Sequence, residues 1–375
     1  MTTNTKRNIL LNPGPVTTSD SVKQALIVPD ICHRETEFTE LLQSIRQDLL
    51  KVVNAKASDY SSVLFAASGT GAIEACITSV IPNNKKLAVI NNGSYGQRMI
   101  NIAKRYNIDV IDIPCPFDQA IPLETIEKIL KADPDITHLA MVHHETSSGI
   151  LNPLREVGAL CRRLNRHFIV DAMSSFAGTE IDMNKDHIDF IMSSSNKCLH
   201  GMPGMSFVIC NKQLLLDSEG NARSYYFDLH QQYYALEKTG QLAFTPPVQI
   251  AYSFKRALDE FFKETLAGRI QRYHQNYDRL LSGLESLGFK CVTPKSLQSK
   301  ILMSIQFPND GQTYDFDAFH DYLYEKSYTI YPKKLDIANS FRLACIGDLT
   351  ESDIDAFLSE VENYMLPKKA RVNDV

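Results

Sequence analysis

Lys197 lies near the end of the stretch Asp189-Phe-Ile-Met-Ser-Ser-Ser-Asn-Lys-Cys-Leu-His-Gly201, where an apolar run, Phe190 to Met192, empties into serines and a glycine-containing turn. That pattern puts a lysine just beyond a buried strand. In open α/β sheets the ligand crevice lies outside the carboxyl ends of the strands, and an amine there can form a Schiff base with a carbonyl cofactor. The plain alternative is a solvated lysine in a turn. Asp171 occupies a matching place, at the end of Phe168-Ile-Val-Asp171 and ahead of Ala172-Met-Ser-Ser175. A carboxylate there can pair with a protonated heterocycle nitrogen and make a pyridine ring an electron sink. It can equally cap a helix or bind a metal.

Other loops carry polar groups of the same kind. Ser68-Gly-Thr-Gly71 leads into the helix-forming run Ala72 to Ile77 and offers hydroxyls and backbone N–H groups to an anion, or simply an N-cap and a tight turn. It lacks the full G-x-G-x-x-G spacing of a dinucleotide fingerprint. Tyr95, in Asn92-Gly-Ser-Tyr-Gly96, can lay its ring on a flat ligand or pack at an interface. In His143-His-Glu-Thr-Ser-Ser-Gly149 the histidines are adjacent, which is not metal-ligand spacing, so Thr146 and Ser147 are the better ligand contacts. Arg342, within the apolar run Phe341 to Ala344, needs an anion: a carboxylate or phosphonate ligand, or an internal acid.

These loops need a scaffold, and the chain alternates accordingly. Apolar strand-like runs at Val63 to Ala67, Leu87 to Ile90, Asp109 to Ile113, His138 to Val142 and Phe168 to Val170 alternate with helical stretches. Such repetition predicts an α/β fold with a mostly parallel sheet and helices on both faces. Phe38, Leu41, Leu42, Ile45, Leu49 and Val52 recur at helical spacing, so an amphipathic helix packs on that sheet. From Pro246 the pattern changes to two long helical stretches, the second from about Ile270, then to strands and helices of a smaller α+β unit. The expected division is an extended N-terminal segment at 1–15, a large domain at 16–262 and a small C-terminal domain at 263–375.

Net charge of -5 at pH 7 and no basic run interleaved with aromatics give no electrostatic reason to bind nucleic acid. The eight cysteines include no Cys-x-x-Cys and no close pair, which argues against a disulfide framework and a zinc site. No apolar stretch approaches a membrane span. Cytoplasmic residence is the expectation, with no metal.

A strand-end aspartate, a strand-end lysine, a phosphate-ready helix start and a late arginine together suggest bound pyridoxal 5'-phosphate. The chain resembles the class V aminotransferases of fold type I from about Asn8 to Leu366. The likeness rests on Leu11-Asn-Pro-Gly-Pro-Val16, Asp30-Ile-Cys-His-Arg34 with Glu37-Phe38, Asn92-Gly-Ser-Tyr-Gly-Gln-Arg98, His143-His-Glu-Thr146, Asp171-Ala-Met-Ser-Ser175 and Ser195-Asn-Lys-Cys-Leu-His-Gly-Met-Pro-Gly204. It implies that Lys197 carries the cofactor and Asp171 pairs with its ring nitrogen. It also implies that Ser68, Gly69, Thr70 and Asn196 hold the phosphate, Tyr95 stacks on the ring, and Thr146 meets the ring hydroxyl. Members work as homodimers, so Thr245 is expected to reach the phosphate in the neighbouring subunit. Arg342 is expected to grip the acidic end of the substrate, with the backbone at Gly14 and the side chain of Arg34 as further phosphonate contacts.

Within the family the likeness is to the branch that moves the amino group of 2-aminoethylphosphonate to pyruvate, giving phosphonoacetaldehyde and L-alanine. The alanine:glyoxylate and serine:pyruvate branch shares the aspartate, lysine and arginine, but usually has Gln where this chain has Asn196 and Trp where it has Tyr95. Cysteine desulfurases usually have His at 196. A nucleotide-binding α/β protein would leave Lys197 without a role.

Overall fold

Helix and strand spacing translate directly into layers. The structure, a computed structural model, describes residues 7–332 and 340–366; the parts of the expected terminal segments at 1–6 and 367–375 lie outside the described residues. Seven strands form the main sheet: β1 (Tyr60–Phe65), β2 (Lys86–Asn91), β3 (Asp109–Pro114), β4 (Ile136–Val142), β5 (His167–Asp171), β6 (Phe190–Ser194) and β7 (Ser206–Asn211). Their order is β1-β7-β6-β5-β4-β2-β3. All neighbours run parallel except β7, which is antiparallel to both β1 and β6. β7 is not among the expected strands, although Met205-Ser-Phe-Val-Ile-Cys210 is apolar and entirely buried.

Because β7 reverses twice, β1 points the same way as the parallel strands. The loops after β1, β2, β4, β5 and β6 therefore emerge at one sheet edge. That shared edge brings residues from 68 to 197 together. β1, β5 and β6 are buried on almost every residue, as a sheet covered on both faces requires.

The amphipathic helix Thr36–Val52 buries Phe38, Leu42, Ile45, Leu49 and Val52, the stripe expected at 3.6-residue spacing. A second apolar core gathers Phe289, Phe316, Phe319, Phe341 and Phe357 around a three-stranded antiparallel sheet, Lys290–Cys291, Leu302–Gln306 and Phe341–Ala344. The helix Glu351–Met365 covers it and starts in a capping box of Thr350 with Asp353. The N-terminal strand Ile9–Leu10 joins this second unit by pairing with Tyr328–Thr329, and the Leu11 carbonyl accepts from the Ala344 N–H at 2.8 Å.

The two long helices are Val248–Glu264 and Leu266–Ser286, so the break falls at Thr265, several residues before the expected Ile270. Thr265 adopts φ 70 and ψ 156, a conformation that a branched residue enters only under constraint. The second helix serves both cores: Tyr273 packs in the first, Tyr277, Leu280 and Leu284 in the second. Among the described residues no helix is long and apolar enough to cross a membrane.

Candidate active site

The loops at the strand ends enclose a cavity of about 420 Å³ whose lining includes Ser68, Thr70, Tyr95, Thr146, Asp171 and Lys197. Gly69 and Asn196 line it too. The structure thus brings together every cofactor-binding candidate except Thr245.

Lys197 stands in a tight turn closed by the Gly201 N–H donating to the Ser195 carbonyl (2.8 Å) and the His200 N–H donating to the Lys197 carbonyl (2.9 Å). Its Nζ donates to the Pro13 carbonyl at 2.6 Å. Burial pushes the Lys197 amine down to about 8, with the charges of Arg342 and Arg98 acting in the same direction and Cys198 and Asp171 opposing. Such an amine is still mostly protonated at pH 7 but loses its proton readily in mildly alkaline solution, where it is a nucleophile and a base.

Asp171 is buried at the end of β5. Its Oδ1 accepts from the Met173 N–H at 2.9 Å, while Oδ2 is buried without a partner among the described residues. Burial raises its carboxyl to about 6. An orphaned carboxylate oxygen costs free energy unless a cation or N–H donor meets it, so this atom is poised to receive a ligand's N–H.

Ser68 is the N-cap of the helix Gly69–Val80, but its side chain makes no capping hydrogen bond. Its hydroxyl and the helix-start N–H groups remain for an anion. A Cβ at Gly69 would lie 2.3 Å from the Met173 sulfur, so a larger residue there would have to displace that side chain.

Three contributors escaped the reading of the sequence. Arg98, one turn after Tyr95, donates to Thr70 Oγ1 at 3.2 Å, and its guanidinium lies 4.6 Å from the Tyr95 ring centre. It adds a positive charge beside the phosphate-ready turn. Glu145 is buried, and its carboxylate accepts from the N–H groups of Tyr95 (3.1 Å) and Ser147 (3.1 Å), tying the tyrosine's helix to the loop of Thr146. His144 lines the cavity, with Nδ1 on the Ser174 hydroxyl (2.9 Å) and Nε2 unpartnered among the described residues; burial keeps the ring neutral. The spacing from Tyr95 to Arg98 was the available signal, because i and i+3 share a helix face.

Gly14 meets the site in another way. Its φ is 124, and a Cβ built there would fall 2.5 Å from both Cδ and Nζ of Lys197. Gly14→Ala is therefore expected to cost about 1–3 kcal/mol of overpacking at Lys197 and to weaken retention of a lysine-bound ligand roughly tenfold or more. Spectroscopic titration of the purified variant checks this.

Arg342 is buried on the strand Phe341–Ala344, with its guanidinium carbon 4.5 Å from the Tyr331 ring centre and Nε unpartnered among the described residues. It does not line the cavity, but its charge reaches Lys197. Arg34 and Thr245 also lie outside the cavity. Arg34 donates to Gln241 Oε1 at 2.6 Å and to the Leu242 carbonyl at 3.3 Å, so it sits on the exposed surface that bears Thr245.

Residues 22–322 match the family Aminotransferase class-V. A 2-aminoethylphosphonate–pyruvate transaminase of Lysinibacillus sphaericus (strain C3-41) is 38% identical over 360 residues, covering 96% of this chain and 98% of that protein. One of the same name from Salmonella heidelberg (strain SL476) is 40% identical over 365 residues, covering 96% and 99%. Among solved structures, an alanine–glyoxylate aminotransferase from Nostoc sp. superposes with a TM-score of 0.88 at 25% identity, covering 98% of this chain and 97% of that one. With its fold and its sequence matching along nearly the whole length, the chain belongs to the class V aminotransferase family.

Proposed function

We propose that this enzyme transfers the amino group of 2-aminoethylphosphonate to pyruvate, yielding phosphonoacetaldehyde and L-alanine. The observation that carries the reading is the near full-length likeness to transaminases that bear this name. Asn196 and Tyr95 agree with it, since the alanine:glyoxylate branch usually has Gln and Trp at those positions.

The family's cofactor is pyridoxal 5'-phosphate, and the site fits it. Asp171 Oδ2 would meet the ring nitrogen, and Tyr95 would stack on the ring. Thr146 would contact the ring hydroxyl, while Ser68, Gly69, Thr70 and Asn196 would hold the phosphate. Lys197 would carry the cofactor. When bound, the cofactor supplies an electron sink for the pair left at the substrate's amine-bearing carbon. Asp171 keeps a proton on the ring nitrogen. Lys197 would take the proton from the substrate's amine-bearing carbon and hold it for return. Arg342 holds the acidic end, and its planar fork suits a phosphonate in one half-reaction and a carboxylate in the other. The Gly14 backbone and Arg34 are the further phosphonate contacts we assign.

We also propose a homodimer. Thr245 is exposed and outside its own cavity, beside a surface where Tyr225 and Tyr226 pack around Phe244. There it can reach the cofactor phosphate of the partner subunit, with Arg34 on the same surface. We place the domain division at 16–262 and 263–375, after the N-terminal segment 1–15. Eight unpaired cysteines suit a cytoplasmic enzyme.

The test mixes purified enzyme with 2-aminoethylphosphonate and pyruvate and follows alanine and phosphonoacetaldehyde, with alanine plus glyoxylate for comparison. Turnover only with the carboxylate pair would reject the substrate assignment. A pH series adds a second check. With the Lys197 amine at about 8, only its unprotonated form attacks a carbonyl carbon. Covalent loading of pyridoxal phosphate onto cofactor-free enzyme is therefore expected to rise about tenfold per pH unit and to level off above about pH 8, read as growth of the visible absorbance.

A further inference from the structure

The turn that carries Lys197 and the strand that carries Arg342 are both wired to one carboxylate. Glu264 ends the helix Val248–Glu264, directly before the strained Thr265. Its Oε2 accepts from Arg269 Nε (2.8 Å) and its Oε1 from Arg272 Nε (2.7 Å). Burial alone would raise this carboxyl, but the two guanidiniums outweigh it and hold it below the usual carboxylate range.

Each arginine also turns Nη2 to Glu264, and each gives Nη1 to one half of the active site. Arg269, almost fully buried, donates from Nη1 to the carbonyl of Cys198, the residue after Lys197, at 2.7 Å. Arg272 donates from Nη1 to the carbonyls of Gly347 (2.8 Å) and Leu349 (3.2 Å), just beyond the strand of Arg342. A second link runs in parallel: the Gly347 N–H donates to His200 Nε2 at 3.2 Å, and Tyr273 Oη meets the same nitrogen at 2.5 Å. Burial and the nearby Arg269 and Arg272 keep the His200 ring neutral, and the Gly347 N–H that points at Nε2 fixes that nitrogen as the acceptor. The N-terminal segment joins at the same point, as the Asp348 N–H donates to the Thr17 carbonyl at 2.8 Å.

We propose that Glu264 is a positioning residue which couples occupancy of Arg342 by the substrate's acidic group to the orientation of Lys197, through Arg272 and Gly347 on one side and Arg269 and Cys198 on the other. The inference rests on the roles assigned above to Lys197 and Arg342. Arg342 drawn toward an anion displaces the segment up to Gly347, and the shared carboxylate passes that displacement to the turn of Lys197. Charge is needed at the hub because a neutral side chain cannot hold both forks with charge-assisted strength.

The experiment compares two amines in single turnovers of holoenzyme, read as loss of the visible cofactor absorbance. One is 2-aminoethylphosphonate; the other is ethylamine, the same amine without the acid. Glu264→Gln is expected to slow the saturated rate with 2-aminoethylphosphonate by about tenfold or more while its half-saturating concentration changes less than threefold. With ethylamine, which cannot engage Arg342, the rate stays within twofold of wild type. Arg272→Lys, which removes the Arg272 fork between Glu264 and the carbonyls of Gly347 and Leu349 and leaves Arg269 in place, should reproduce the split, and the visible spectrum reports that each variant is folded and loaded. Equal slowing of both amines, or slowing of neither, overturns the proposal. Should wild-type enzyme ignore 2-aminoethylphosphonate but react with L-alanine, the substrate assignment fails separately. The comparison of alanine with ethylamine then decides the coupling by the same criterion.

Discussion

Lys197→Ala is expected to lower turnover by about 10⁴-fold or more, because one side chain supplies the covalent tether and the proton carrier. The amine donates to the Pro13 carbonyl, and burial holds it at about 8. No neighbour can replace it: Cys198 is buried, its thiol is pushed up to about 12, and it faces the Ser174 carbonyl. A readout independent of turnover is borohydride treatment of protein loaded with pyridoxal phosphate. The cofactor's mass should stay with the wild-type chain through denaturation and be lost from the variant. A variant that keeps that mass on another residue would remove Lys197 from its assigned role.

Asp171→Asn is expected to act in opposite directions on catalysis and on the stability of the cofactor-free protein. Catalysis falls by about 10²–10³-fold, the cost of losing one preorganised charge at the position where charge develops. An amide cannot keep the ring nitrogen protonated. Without cofactor, the wild-type carboxylate is buried with Oδ2 unpaired and a pKa raised from 3.8 to about 6. That folded-state value lies above the unfolded one, so the native protein binds more protons between the two and loses stability as pH rises through the interval. At neutral pH the loss amounts to about 3 kcal/mol. An unpartnered amide costs about 1–3 kcal/mol, which leaves the variant more stable by ~1 kcal/mol. Thermal unfolding should show a cofactor-free Asp171→Asn protein melting about 1–3 °C above wild type near neutral pH. The difference should shrink toward pH 4, where Asp171 is protonated in the folded state. A variant that melts below wild type at neutral pH would mean that Asp171 already has a partner in the cofactor-free protein.

How much of this was legible beforehand varies with the range of the interaction. The strands ending at Asp171 and Ser194, the turn after Ser68 and the amphipathic helix from Thr36 follow from apolar spacing, turn residues and caps, all of which act over a few residues. β7 did not, because its neighbour β1 is remote in sequence and an unbroken apolar run does not announce its direction. Thr265 ends a helix through a backbone conformation that its residue type does not advertise.

Within the site the same boundary holds. Lys197, Asp171 and Arg342 were singled out by type and position, because an ionisable residue in or at the end of an apolar run is unusual in its own right. Glu145 and His144 were passed over, since a polar residue beside a loop looks like ordinary surface until packing buries it, and Arg98 because its partner Thr70 lies 28 residues away. The approach of Gly14 to Lys197 and the bond from Arg269 to the carbonyl of Cys198, 71 residues away, exist only once the chain has closed on itself. Local sequence thus determined which elements form and which residues are chemically able. Tertiary structure decided which become neighbours and how far their pKa values move, because burial and long-range contact are properties of the folded chain and not of any segment.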